Sequence, residues 1–154
     1  MVTWWILCPY HLVDEMKVKI SKKLDNLQSL INKVKEKSKE IGGIAVFVGT
    51  VRGTFKNEKV LRLEYEAHEK LAPKVLKQII LDLKKKYGII DAVIEHKTGT
   101  AKVGEDVMYV LVASKHRREA FQALIEAVDR IKRETPIWKK EITEGSAHWV
   151  ENQT

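Results

Sequence analysis

"HRREAFQALIEAVDRIKRETPIWKKEIT", residues 116–143, contains a change of period that decides the fold class. Up to Glu134 the apolar residues recur at helical spacing. On a wheel of 100° per residue Phe121, Leu124, Ile125, Val128 and Ile131 form one stripe, which predicts a helix over about 115–134 with that stripe against a core. Pro136 ends it, because proline disfavours the helical conformation of the residue before it. From Ile137 the pattern alternates and a strand follows. Ile137, Lys139 and Glu141 share one face, and Trp138, Lys140 and Ile142 share the other. Trp138 and Ile142 mark the second face as the core side, with Lys140 at an edge, and leave Lys139 and Glu141 together on a polar face.

The rest of the chain extends this helix-to-strand unit. "MKVKIS" (16–21) suits a short strand, after which Ser21 can cap a helix carrying Leu24, Leu27, Ile31 and Val34, stopped by Gly42 and Gly43. "IAVFVGTV" (44–51) is a β-branched and aromatic run of a buried strand's length, ending at Arg52 and Gly53. "GTFKNEK" (53–59) reads as a polar loop, and "VLRLEYEA" (60–67) alternates as a strand. "HEKLAPKVLKQIILDLKKKYG" (68–88) is an amphipathic helix with Pro73 in its first turn and Gly88 closing it. "IIDAVIEHKTG" (89–99) and "DVMYVLVAS" (106–114) read as strands joined by the turn-like "TAKVGE". After the 137–143 strand come a "TEGS" turn and a last strand, "AHWV". The pattern predicts a single α+β domain over residues 1–154 with a mostly antiparallel sheet.

Composition narrows the function classes. A chain of 154 residues that is 44% hydrophobic and 32% charged matches a soluble domain, and no apolar run approaches the roughly 20 residues that span a bilayer. "MVTWWILCPYHLVDE" (1–15) has neither a basic leading region nor a small-residue cleavage site and reads as part of the mature chain. Cys8 is the only cysteine, without a Cys or His companion at ligand spacing, so the expectation is a cytoplasmic chain without a metal site. The net charge of +7 suits an anionic partner, or a solvated lysine surface of the kind common in heat-adapted proteins.

Three groups of charge stand where a core pattern would not put them. Lys132 and Arg117 fall inside the apolar stripe of the 115–134 helix. Each could snorkel to water from a helix end, or the stripe could open at each end into a cavity whose visitor needs a cation. Lys139 lies seven residues beyond Lys132 across a tight bend, so both amines can reach one pocket, where two cations depress each other's pKa. In "ASKHRR" (113–118) a helix starts with Ser114, His116, Arg117 and Arg118 near its N-terminus. Ser114 serves as an N-cap in the simplest account, yet the dipole, free N–H groups and arginines together resemble a phosphate site.

"AVFVGTVRG", "YEAH", "ASKHRREAF" and "TPIWKKE" with "HWV" together resemble the large, catalytic subunit of molybdopterin synthase over about residues 16–151, leaving 1–15 as an N-terminal extension. The resemblance implies an α/β hammerhead-type fold and a central homodimer within a heterotetramer of two large and two small subunits. It implies a small ubiquitin-like sulfur-carrier subunit whose C-terminal Gly-Gly thiocarboxylate donates sulfur to cyclic pyranopterin monophosphate, giving the dithiolene of molybdopterin. Carried over by motif, Lys132 and Lys139 would be catalytic, and Arg52, His116 and Arg117 would bind substrate. No cofactor, metal, nucleic acid or membrane is implied. Lys97 stands in "EHKTG" where relatives often have arginine, and the "WVENQT" tail lacks a basic residue that some relatives place there.

Arg117 and Lys132 are fifteen residues apart on one helix, about 22 Å at 1.5 Å per residue, whereas a pterin spans on the order of 10 Å. A two-fold dimer would reconcile them, with Lys132 and Lys139 of one protomer facing His116 and Arg117 of the other. The alternatives are a basic RNA- or DNA-binding module and a non-catalytic homodimeric scaffold. The first lacks a stacking pattern of aromatics.

Overall fold

The structure, a computed structural model, describes residues 17–151. Cys8, the 1–15 extension and the last three residues of the tail lie outside the described residues. The elements run β1 (Lys17–Ser21), α1 (Leu27–Lys35), β2 (Gly43–Thr50), β3 (Thr54–Phe55), β4 (Glu58–Ala67), α2 (Leu71–Tyr87), β5 (Asp91–Lys97), β6 (Gly99–Lys102), β7 (Asp106–Ser114), α3 (Arg117–Glu134), β8 (Ile137–Thr143) and β9 (Ala147–Val150).

They form an α+β domain of two sheets. The first has the order β1-β5-β7-β2, antiparallel apart from the parallel β1–β5 pair. The second has the order β3-β4-β8-β9, with β6 also pairing β4. Helices cover both faces of the first sheet. Met108, Val110 and Val112 of β7 pack under α2 and α3 with Leu76, Ile79, Ile80, Leu83, Ala123 and Ala127. The alternate residues Tyr109, Leu111 and Ala113 pack under α1 with Leu30 and Val34. A strand buried on both faces needs a continuous apolar run, which is why "VMYVLVA" lacks alternation. Val51, Val60, Leu63, Ala101 and Val107 form a smaller core beneath the second sheet. Among the described residues no helix is long and apolar enough to cross a membrane.

Several local expectations are corrected. Ser21 is the last ladder residue of β1, opposite Lys97, so it cannot cap α1; Asn26 does, its side chain accepting from Ser29 N–H at 3.0 Å, and Leu24 precedes the helix. α1 ends at Lys35 rather than at the glycines. Gly43 opens β2, and a Cβ on Gly42 would stand 2.1 Å from the Lys115 carbonyl oxygen, so close approach and not helix termination requires that glycine. The loop at 53–59 is a hairpin, β3–β4, whose two-residue turn holds Lys56 and Asn57 at φ 47° and 65°. Positive φ at both positions matches the twist of a tight hairpin. Part of the turn at 100–105 is β6, recruited as a partner for β4.

The two elements that open the argument above are also turned relative to expectation. In α3 the buried residues are Ala120, Ala123, Ala127 and Ile131, with Leu124 and Val128 packed beside them. Phe121 and Ile125 point outward, 58% and 66% exposed. Alanines let the helix axis approach the sheet and α2 closely, so the larger residues are displaced to the flank. In β8 the inward face is Ile137, Lys139, Glu141 and Thr143, and Trp138 is 49% exposed. Apolar bulk misassigned the faces because the inward side of β8 borders a cavity and not a packed core.

Candidate active site

That cavity, about 670 Å³, lies between the two sheets. The C-terminal end of β2 supplies one wall, with Phe47, Val48, Gly49 and Thr50, and the chain turns immediately to place Arg52 there. The last turn of α3 adds Ile131 and Lys132. β8 contributes Lys139 and Glu141 from its inward face. Lys132 Nζ sits 6.0 Å from the Phe47 ring centroid, within cation–π range. Three of the five candidate residues, Arg52, Lys132 and Lys139, therefore share one enclosure, the two lysines brought together by the helix-to-strand bend at Pro136 and Arg52 by the end of β2.

The environment perturbs what lines it. Burial pushes the Lys139 amine below the usual lysine range; Glu141 opposes this, and Lys132 and Arg52 reinforce it. Tyr65, the cross-strand partner of Lys139, has its phenol pushed up to about 12 by burial, with the Glu141 charge acting in the same direction. Burial lowers His96 as well; the Lys97 carbonyl opposes it and the Lys139 charge adds to it. The Glu141 carboxylate is buried, with Oε2 free of any hydrogen bond and 4.0 Å from His148 Nε2. A lysine held below its ordinary range gives up its proton more readily to a bound reactant, and the surrounding cations can stabilise developing anionic charge.

His116 and Arg117 stand elsewhere. His116 occupies the N-cap position of α3 without a side-chain capping bond, and Arg117 is the first helical residue. Ser114 is a buried end residue of β7, not the cap. A Cβ on Gly43 would lie 3.9 Å from Arg117 Cα, so this end of α3 rests at the start of β2, whereas the cavity opens at the end of β2. Within one protomer the two basic groups are separated by the length of α3.

Tyr65, His96 and Glu151 also line the cavity, and none was singled out from sequence. Tyr65 had a signal in "YEAH". His96 fell inside an apolar strand run, where a histidine carries no pattern of its own. Val150 and Glu151 bring the tail to the site with a carboxylate where a cation was looked for. Lys97 lies outside the cavity lining and pairs with Glu105 at 3.2 Å.

Comparison with known proteins places the sequence and the fold in one family. The family model described as MoaE protein matches residues 20–134. A molybdopterin synthase catalytic subunit from Pyrococcus abyssi is 39% identical over 141 residues, covering 90% of this chain and 94% of that relative. One from Bacillus subtilis is 38% identical over 137 residues, covering 89% and 86%. The crystal structure of molybdopterin synthase from Staphylococcus aureus superposes with a TM-score of 0.77 at 32% identity, over 86% of this chain and 95% of that one. A protein-protein complex of subunits 1 and 2 of molybdopterin-converting factor from Helicobacter pylori contains the same fold, with a TM-score of 0.71 at 21% identity over 89% and 92% of the two chains. With the family model matching most of the chain, relatives near 39% identity over nearly its whole length and a shared fold, the chain belongs to the MoaE family of molybdopterin synthase catalytic subunits.

Proposed function

We propose that the cavity is where sulfur passes from the thiocarboxylated C-terminus of a small ubiquitin-like subunit to cyclic pyranopterin monophosphate. The observation that carries this assignment is the convergence of Lys132, Lys139 and Arg52 on one enclosure in which the Lys139 amine is held below its ordinary range. Attack by a thiocarboxylate on a pterin carbon needs positioning, an anion clamp and proton transfer. Lys132 and Lys139 serve the thiocarboxylate and the proton; Arg52, with His116 and Arg117, serves the phosphate. The Gly-Gly tail enters extended, since glycine allows close backbone approach. Membership of an enzyme family argues against the nucleic-acid and scaffold alternatives. The single cysteine, Cys8, favours a cytoplasmic location.

The site is composite in this proposal. β2 is the outermost strand of its sheet, with α3 running beside it from the Gly43 end to the cavity end. Two copies aligned antiparallel along β2 would bring His116 and Arg117 of one to the cavity of the other. Phe121 and Ile125, exposed on α3, would add apolar area to that contact. The test mixes Lys139→Ala chains with Arg117→Ala chains, each inactive alone, in the presence of thiocarboxylated small subunit and the pyranopterin. After subunit exchange one site of the mixed dimer carries both lesions and the other none, so molybdopterin formation returns in part. No recovery despite demonstrated exchange refutes the composite site.

A further inference from the structure

The cavity presents cations from several elements, and two of its acceptors lack a hydrogen-bond donor. His96 is the clearest case. It lies on β5 at the seam between the sheets, 8% exposed, edge-on to Tyr65 with ring centroids 5.0 Å apart. Its Nδ1 is 2.8 Å from the Lys97 carbonyl oxygen. A carbonyl only accepts, so in the neutral imidazole Nδ1 carries the proton and Nε2 keeps a lone pair. Among the described residues nothing donates to that nitrogen, and the residue lines the cavity. Burial favours the neutral ring, and the charge of Lys139 from β8 acts the same way against the opposing Lys97 carbonyl. The other titratable groups around the cavity are Tyr65 from β4, Lys132 from α3, Arg52 after β2, and Glu141 and Glu151 at the β8–β9 side.

Glu141 is the second such acceptor, with an oxygen that no hydrogen bond satisfies. It is 5% exposed, its Oε2 lacks a donor, and His148 Nε2 at 4.0 Å is beyond hydrogen-bond reach. Buried acceptors are costly unless something arrives to satisfy them. A pterin offers an amino group and ring N–H groups on its heterocycle, whereas its phosphate offers only acceptors. Lysines and arginines can hold the second kind of group and not the first.

We propose that His96 Nε2, together with the Glu141 carboxylate, accepts hydrogen bonds from the N–H groups of the pterin heterocycle and thereby orients the substrate. This assignment rests on the proposed sulfur transfer and names the residues that recognise its acceptor. The heterocycle is then held at the His96 wall and the phosphate is turned toward the basic groups. His96 acts as a specificity residue, with no proton transfer of its own.

The test uses His96→Phe, which keeps ring volume and the edge contact with Tyr65 but removes Nε2. Two quantities are read: KM for the pyranopterin in the reconstituted reaction, and Kd for 6-hydroxymethylpterin, a fluorescent probe without phosphate. Both should rise about tenfold with kcat little changed and the melting temperature near wild type. His96→Gln, whose amide oxygen can replace the acceptor, should recover much of the loss. In the wild type, Kd should rise as the pH is lowered and the ring takes up a proton, with the rise displaced to the acid side of an ordinary histidine because burial holds His96 below its usual range. Unchanged KM and Kd in folded His96→Phe overturn the assignment, as does a loss confined to kcat, which would make His96 a partner of Lys139. If His96→Phe does not fold, the wild-type pH dependence decides, and a flat Kd through acid pH overturns it. A wild type that binds the probe but makes no molybdopterin refutes the sulfur transfer and this assignment with it; a productive wild type indifferent to His96 refutes the assignment alone.

Discussion

β7 and β8 are both interior strands, yet they use burial differently. β7 has helices on each side and carries apolar side chains on both faces, Met108, Val110 and Val112 toward α2 and α3, Tyr109, Leu111 and Ala113 toward α1. β8 turns Lys139 and Glu141 inward to a cavity and Trp138 outward to solvent. The first strand is a source of stability, because each residue removed from water adds favourable transfer and packing energy. The second holds desolvated charges, which cost stability unless compensated. The apolar bulk gathers around β7, whereas charged groups face a cavity that both sheets line.

The largest test of this division is Leu111→Ala. The side chain is fully buried, and its truncation should cost about 2–5 kcal/mol in denaturant unfolding, a large share of a stability on the order of 5–15 kcal/mol. A cost below about 1 kcal/mol would mean that the first sheet is not the stabilising half. On β8 the expected sign reverses. Lys139 has its folded pKa below the ordinary 10.5, so the unfolded chain binds more protons between the depressed value and 10.5, and stability rises with pH across that window. Lys139→Met should abolish that rise, raise the melting temperature at neutral pH by a few degrees and eliminate product formation. A lower melting temperature would show that Lys139 contributes to stability through Glu141. The smallest effect belongs to Arg130, which ties α3 to Asp82 of α2 at 2.9 Å and to Glu134 at 3.0 Å. Arg130→Ala should cost about 1 kcal/mol or less, diminishing as salt is raised, because the carboxylates are partly solvated.

Much of the fold was legible in the chain because period and punctuation are local. The change of spacing at Pro136 located α3 and β8, Gly88 with φ 65° closed α2 as a left-handed cap should, and the apolar runs located β2 and β7. Short pieces were missed where pairing creates the element. β6 is a strand only because β4 needs a partner, and Ser21 is lost as a cap only because β1 extends beside β5. The faces of α3 and β8 were misassigned for a related reason. Bulk was taken as the mark of the inside, yet Ala120, Ala123 and Ala127 face inward and Phe121, Ile125 and Trp138 do not.

For the site, the sequence by itself determined that Lys132 and Lys139 meet, since seven residues across one bend leave little freedom. It also determined that Arg117 cannot join them within one chain, since helix rise is a constant of backbone geometry. Only the tertiary structure decided that Arg52 closes the same cavity and that Tyr65 and His96 line it, drawn from strands of different sheets. It also decided that the Lys139 amine is depressed, because that depends first on burial and then on charges distant in sequence. Periodicity reports which way a side chain points from its own element; what it meets there is fixed by how the elements pack.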